Sequence, residues 1–326
     1  MVKAIRMHSF GGPEVLKWED VEVGEPGPGQ VRVRHTAVGF NFLDVMTREG
    51  KYPVLPQLPA VPGLEAAGVI EAVGAGVTGF KVGDRVAYAG GAHGACAEAR
   101  VMAPDQIVKV PAGVTDEQAA AVLLKGMTVE YLIHRTYPAK AGEYALVHAA
   151  AGGVGLLLCQ WLAAKGAVVI AATSSAAKGD EAKANGAKHA VNYREAGWGK
   201  TVRDMTGGAG LHVVYDSVGP DVWQESIDAL RPRGYYVNYG NASGPLKPID
   251  AGELNVKGSL FFTKASMRFY NGTRPELEAS AAATFDMVAK GKLKPHIGQR
   301  FALKDVAKAQ IAVAERKTTG ATVFTV

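Results

Sequence analysis

Residues 143–178 constrain the chain more than any other stretch. An apolar run, Tyr144–Ala149, leads into the turn Ala150-Ala151-Gly152-Gly153-Val154-Gly155, then an apolar helical stretch and a second apolar run, Val168–Ala172. Strand, tight turn, helix and strand begin a parallel sheet. The turn fits the pattern G-x-G-x-x-G/A with Ala150 in the first place and Gly152 and Gly155 in the others. Small residues there let backbone approach a pyrophosphate, and the helix N-terminus presents unpaired N–H groups to its charge. A glycine turn between two core elements needs no ligand, but the strand before it and the long helix after it favour a dinucleotide cradle.

The residues after the second run bear on which dinucleotide. A site for an unphosphorylated ribose usually places Asp or Glu about 20 residues after the first glycine. Thr173-Ser174-Ser175 stands there instead, followed by Lys178. Hydroxyls and a cation suit a 2′-phosphate, hence NADPH rather than NADH. Lys178 alone would read as a solvated helix lysine; the missing carboxylate gives it meaning.

Before the cradle, short extended segments dominate residues 1–112: Lys3–His8, Lys17–Val23, Val31–Val38, Ala67–Val73, Asp84–Ala89 and Ala95–Met102. Apolar and charged residues alternate in Val31-Arg32-Val33-Arg34-His35, and Gly or Pro bounds nearly every run. Pro53, Pro56, Pro59 and Pro62 stiffen one loop. At Thr115-Asp116-Glu117-Gln118 a capping box opens an Ala-rich helix. Strands then alternate with helices, at His189–Asn192, His212–Tyr215, Tyr235–Tyr239 and Ser259–Phe262, which predicts a doubly wound parallel sheet of the α/β class. Two helical stretches, Pro275–Lys290 and Lys304–Arg316, and runs near Pro295–Ala302 and Ala321–Val326 are too few for a third core. They are expected to complete the β-rich domain, giving residues 1–125 and 266–326 to one domain and 126–265 to an inserted Rossmann domain.

With 326 residues, 48% hydrophobic and 21% charged, the chain has ample core for two domains. The basic excess, 36 − 31 = +5, is scattered and offers no stripe for nucleic acid. Cys96 and Cys159 form no metal-ligand or disulfide pattern, no apolar stretch is long enough to span a membrane, and a cytoplasmic protein is expected.

Asn41-Phe42-Leu43-Asp44, Val82-Gly83-Asp84-Arg85-Val86, His148–Gly155, Asn192-Tyr193-Arg194 and Tyr215-Asp216-Ser217-Val218-Gly219 together resemble the medium-chain dehydrogenase/reductase superfamily, most closely its zinc-free quinone oxidoreductase (zeta-crystallin-like) branch. The resemblance implies a GroES-like fold for the β-rich domain, NADPH as donor and a homodimer. Zinc-dependent relatives carry a Cys where this chain has Asn41 and a His where it has Leu64, beside a retained Glu65, so the catalytic zinc ligands are missing.

The same resemblance brings Lys178 and Tyr193 to the 2′-phosphate and adenosine, with Ser174 beside them. It brings Thr128, Gly152, Gly153, Val154, Ser217 and Asn241 to the pyrophosphate and nicotinamide path. Arg316 matches a position that reaches the phosphate, although a cation ending a helix equally complements its dipole. Near the nicotinamide it implies Asn41, Asp44 and Tyr52. Many relatives have a second tyrosine where this chain has Met46, so a grip by two phenols is not expected. Asn41 and Tyr52 are expected to donate hydrogen bonds to an acceptor oxygen, with no visible base or cation to poise either for delivering a proton in the rate-limiting step. The implied activity is hydride transfer from NADPH to a small-molecule quinone. Alternatives are reduction of an enone or alkenal and, in another class, an RNA-binding or structural crystallin-like role.

Overall fold

The computed structural model describes residues 1–315 and 317–326, so the expectation for Arg316 lies outside the described residues. The chain forms two compact units. Met1–Met127, Asn271–Gly291 and Pro295–Val326 make the first, Thr128–Tyr270 and Lys292–Lys294 the second.

In the first unit β1 (Val2–Met7) and β2 (Leu16–Val21) form an antiparallel ribbon. A seven-stranded sheet contains β3 (Val31–Phe40), β4 (Glu65–Val73), β5 (Arg85–Ala89), β6 (Ala99–Met102) and β7 (Ile107–Lys109). The strands Ile297–Ala302 and Ala321–Thr325 complete it, the latter antiparallel to β3. Alternation works as chemistry requires at the start of β3, where Val31 and Val33 are buried and Arg34 is exposed. From Ala37 to Phe40 both faces are covered. There the helix α2 (Asp116–Tyr131) lies so close that a Cβ on Gly39 would stand 2.0 Å from the Ala120 carbonyl oxygen. The box opening α2 forms as expected, Thr115 and Gln118 each accepting from the other's N–H.

Three expectations are corrected. Residues 42–48 form a helix, α1 (Phe42–Arg48), inside the region read as dominated by extended segments. Ala95–Glu98 stay outside β6, since their backbone groups turn to Pro62, Gly63 and the β1 residues Lys3 and Ile5. The stretch expected at Lys304–Arg316 is helical over Val306–Ala314.

The second unit alternates β8 (Tyr144–His148), α3 (Gly153–Ala164), β9 (Val168–Thr173), α4 (Ala176–Ala184), β10 (His189–Asn192), α5 (Trp198–Met205), β11 (Leu211–Asp216), α6 (Trp223–Ala229) and β12 (Leu230–Asn238), then α7 (Ala251–Val256) and β13 (Phe261–Lys264). β13 begins two residues later than expected because Ser259 is turned into the left-handed region at φ 53°. All neighbours are parallel in the order β10-β9-β8-β11-β12-β13, so the winding reverses between β8 and β11. Ligands of such sheets sit at the carboxyl ends of the strands beside that reversal. Leu146, Ile170, Val214 and Tyr236 fill the core beneath it. Among the described residues no helix is long and apolar enough to cross a membrane.

Candidate active site

β8 ends at His148, and the cradle follows. The left-handed residue is Ala149, at φ 48°, not Ala150, so the first motif position needs no glycine here. Gly152 caps α3, and its N–H donates to the Ala149 carbonyl at 2.8 Å. A Cβ on Gly155 would stand 2.3 Å from that same oxygen and 2.7 Å from Ala150 Cα. Only glycine lets the helix start this close to the strand. On Gly152 a Cβ would stand 3.1 Å from the same Ala149 oxygen, a tight contact but a milder one. A twelve-residue helix whose first N–H groups lie at this turn fits a pyrophosphate. His148 beneath it is wholly buried, hydrogen-bonded to Ser226 Oγ at 2.7 Å and edge-on to Trp198 at 5.4 Å. Burial lowers its pKa to about 4, so it is neutral at physiological pH.

At the carboxyl ends of β9 and β10, Ser175 caps α4 by accepting from the Lys178 N–H at 3.4 Å. The Tyr193 N–H donates to the Thr173 carbonyl at 3.0 Å. Ser174, Lys178 and Tyr193 therefore gather at one corner of the sheet. Ser217 and Asn241 meet at another, bridged by the Ala242 N–H donating to the Ser217 carbonyl at 3.0 Å. Sequence reasoning missed what holds this second corner. Buried Asp216 accepts from the Val218 N–H, the Tyr236 hydroxyl and the Asn238 amide. The Lys264 ammonium donates to Asn238 and to Asn241 Oδ1, the latter at 2.7 Å. Burial lowers the Lys264 pKa, partly offset by Asp216.

In the first unit Asn41 caps α1, and the Asp44 carboxylate accepts from its N–H at 2.9 Å. The Asn41 amide nitrogen donates to Glu65 Oε2 at 2.8 Å, so one of its two hydrogens is committed and the other is left for an acceptor. A cation that the sequence did not reveal stands at the same carboxylate. Lys125 Nζ, on α2, donates to the same Oε2 at 2.9 Å, while Glu65 Oε1 accepts from the Leu124 N–H at 2.7 Å. Glu65 has no exposed surface, and Lys125 keeps 4%. Asp44 Oδ1 is buried without a hydrogen-bond partner. Burial raises the Asp44 pKa to about 7, against the pull of the Asn41 N–H and of Lys125.

Tyr52 lies past the other end of α1, half-buried, with its N–H bonded to the Met46 carbonyl at 3.2 Å. Seven helical residues, about 10 Å, separate its backbone from Asn41. Thr128 is buried on α2. Among the described residues no three His, Cys, Asp or Glu side chains are grouped as metal ligands.

The chain matches the family models described as "Alcohol dehydrogenase GroES-like domain" over residues 27–156 and "Zinc-binding dehydrogenase" over 153–278. It is 47% identical to a quinone oxidoreductase of Pseudomonas aeruginosa, over 99% of both chains. It is 43% identical to a 2-haloacrylate reductase of a Burkholderia species, again over 99% of each. The solved structure of Escherichia coli quinone oxidoreductase complexed with NADPH superposes with a TM-score of 0.96 at 41% identity, covering 99% of this chain and 100% of that one.

Proposed function

Because the chain belongs to the zinc-free quinone oxidoreductase branch of the medium-chain dehydrogenase/reductase superfamily, we propose that it is an NADPH-dependent quinone reductase working without zinc. The observation that carries this is full-length identity approaching half with curated quinone oxidoreductases, on a chain whose Gly155 turn has the close strand-to-helix approach that suits a pyrophosphate. When bound, NADPH supplies hydride from its dihydronicotinamide.

The protein's part is binding and electrostatics. Gly153 and Val154 present N–H groups to the pyrophosphate, with Gly152 beside it as the cap of α3, and Thr128, Ser217 and Asn241 line the path toward the nicotinamide. Lys178, Ser174 and Tyr193 take the 2′-phosphate and adenosine, with Arg316 as a further candidate. Asn41, Asp44 and Tyr52 belong to the acceptor side. A quinone needs positioning and relief of developing negative charge more than a strong acid. Tyr52→Phe should therefore keep quinone turnover, with a loss of about tenfold mainly in KM.

The Burkholderia relative supports a second reading, reduction of an activated alkene, in which a carbon must be protonated after hydride arrives. Steady-state rates with NADPH and NADH against a benzoquinone, an alkenal and 2-chloroacrylate decide between them. Alkene turnover above quinone turnover, abolished in Tyr52→Phe, would select the alternative.

A homodimer and a cytoplasmic location belong to the same reading. β13 leaves one edge of the six-stranded sheet unpaired, with Phe261 exposed on it, a feature that favours pairing with a second copy. Buried free thiols at Cys96 and Cys159 suit a reducing compartment.

A further inference from the structure

Four side chains from three elements converge in the core of the first unit: Asn41 and Asp44 at the start of α1, Glu65 on β4 and Lys125 on α2. The hydrogen bonding among them does not balance. An ammonium has three donors, and among the described residues Lys125 uses one, on Glu65. Asn41 has an amide hydrogen beyond the one given to Glu65. Buried donors left over in a folded protein call for an acceptor, because an unmade hydrogen bond away from water is costly. A structural ion pair deep in a core is instead saturated by its neighbours.

We propose that Lys125, clamped by Glu65, is a catalytic residue whose spare N–H groups, together with that of Asn41, take the oxygen of the quinone on which negative charge develops. This rests on the quinone reductase reading and assigns that activity its electrostatic group. The acceptor gains the hydride and its electron pair as the C4–H bond of NADPH breaks, which leaves one negative charge shared by the quinone oxygens. A proton from solvent then completes the hydroquinone, and Lys125 keeps its own. Glu65 holds the ammonium in place before the charge appears, so little reorganisation is required at the moment of transfer. Asp44 Oδ1 is the acceptor of the group left without a partner, and a protonated Asp44 spares the oxygen a repelling charge.

The test separates a charge that holds the fold from a charge that serves the substrate. Lys125→Met, Glu65→Gln and the double variant are compared with wild type for thermal unfolding, NADPH binding by fluorescence titration, and kcat and KM with a benzoquinone. Lys125→Met strands a buried carboxylate and should lose both stability and turnover. The double variant removes both charges; it should regain the wild-type unfolding temperature and NADPH affinity, with kcat still at least about tenfold down. Glu65→Gln alone keeps the cation and should stay within about tenfold of wild-type kcat. Recovery of kcat along with stability in the double variant would reduce Lys125 to a counter-ion, and so would a loss in Glu65→Gln as deep as in Lys125→Met. Wild-type protein that binds NADPH yet reduces no quinone would sink the functional reading itself, and this proposal with it.

Discussion

At the cradle the chain offers backbone: a turn in which glycine matters for what it lacks, and helix N–H groups whose number is fixed by the fold. Around Glu65 it offers charged and amide side chains from three elements, held by each other and shielded from water. One arrangement is steric, and its failure should be abrupt. The other is electrostatic, and its failure should depend on which partner is removed and at what pH.

Gly155→Val should break the steric arrangement outright, since even a Cβ would lie 2.3 Å from the Ala149 oxygen. We expect at least about 2–3 kcal/mol of lost stability and no measurable NADPH affinity. Gly152→Ala should by contrast fold normally and weaken NADPH alone. Circular dichroism and nucleotide titration of both variants check this, and a Gly155→Val protein with normal affinity would dissolve the contrast.

The electrostatic arrangement should show itself through Asp44. Its carboxyl gives up its proton near 3.8 when exposed but holds it to about 7 in the folded protein. The folded state therefore binds more protons across that interval, and stability must fall as pH rises through it. Wild type measured against Asp44→Asn should lose on the order of a few kcal/mol between those pH values and run level outside them. A constant difference in urea unfolding at all pH values would place Asp44 among ordinary carboxylates.

Lys178 tests whether side-chain charge also matters on the cradle side. Lys178→Ala should raise KM for NADPH at least about tenfold while leaving NADH little changed, because the cation answers only the 2′-phosphate. Equal effects on both nucleotides would remove Lys178 from that role. The smallest effect expected is none at all: exhaustive chelation should leave quinone turnover intact, since Asn41 and Leu64 cannot replace a thiolate and an imidazole. Turnover lost to EDTA and restored by zinc would show that Glu65 works with a metal instead of with Lys125.

The two regions also differ in how far they could be read from sequence. The cradle is contiguous, so its pattern, its flanking strands and the Thr173-Ser174-Ser175 replacement were all visible in 36 residues of sequence. The parallel sheet followed from alternation. The helix α1 did not, because seven residues give too short a period to detect and its capping residues, Asn41 and Asp44, were read for chemistry instead. Lys125 lay unnoticed in an Ala- and Leu-rich helix, where nothing local marks a lysine as buried; only the approach of β4 puts it on Glu65. Lys264 escaped for the same reason, as its partners Asn238 and Asn241 come from a neighbouring strand end.

Trp198 gives the cradle an optical window. Its indole is 4% exposed and packs edge-on against His148, one residue before the turn begins. A protonated imidazole at that distance quenches indole emission, but this ring stays neutral until pH falls to about 4. Emission from Trp198 is thus free of the commonest pH artefact across the range in which the enzyme would be assayed. Energy transfer from it to a bound dihydronicotinamide offers a readout of occupancy that needs no label, no turnover and no second substrate.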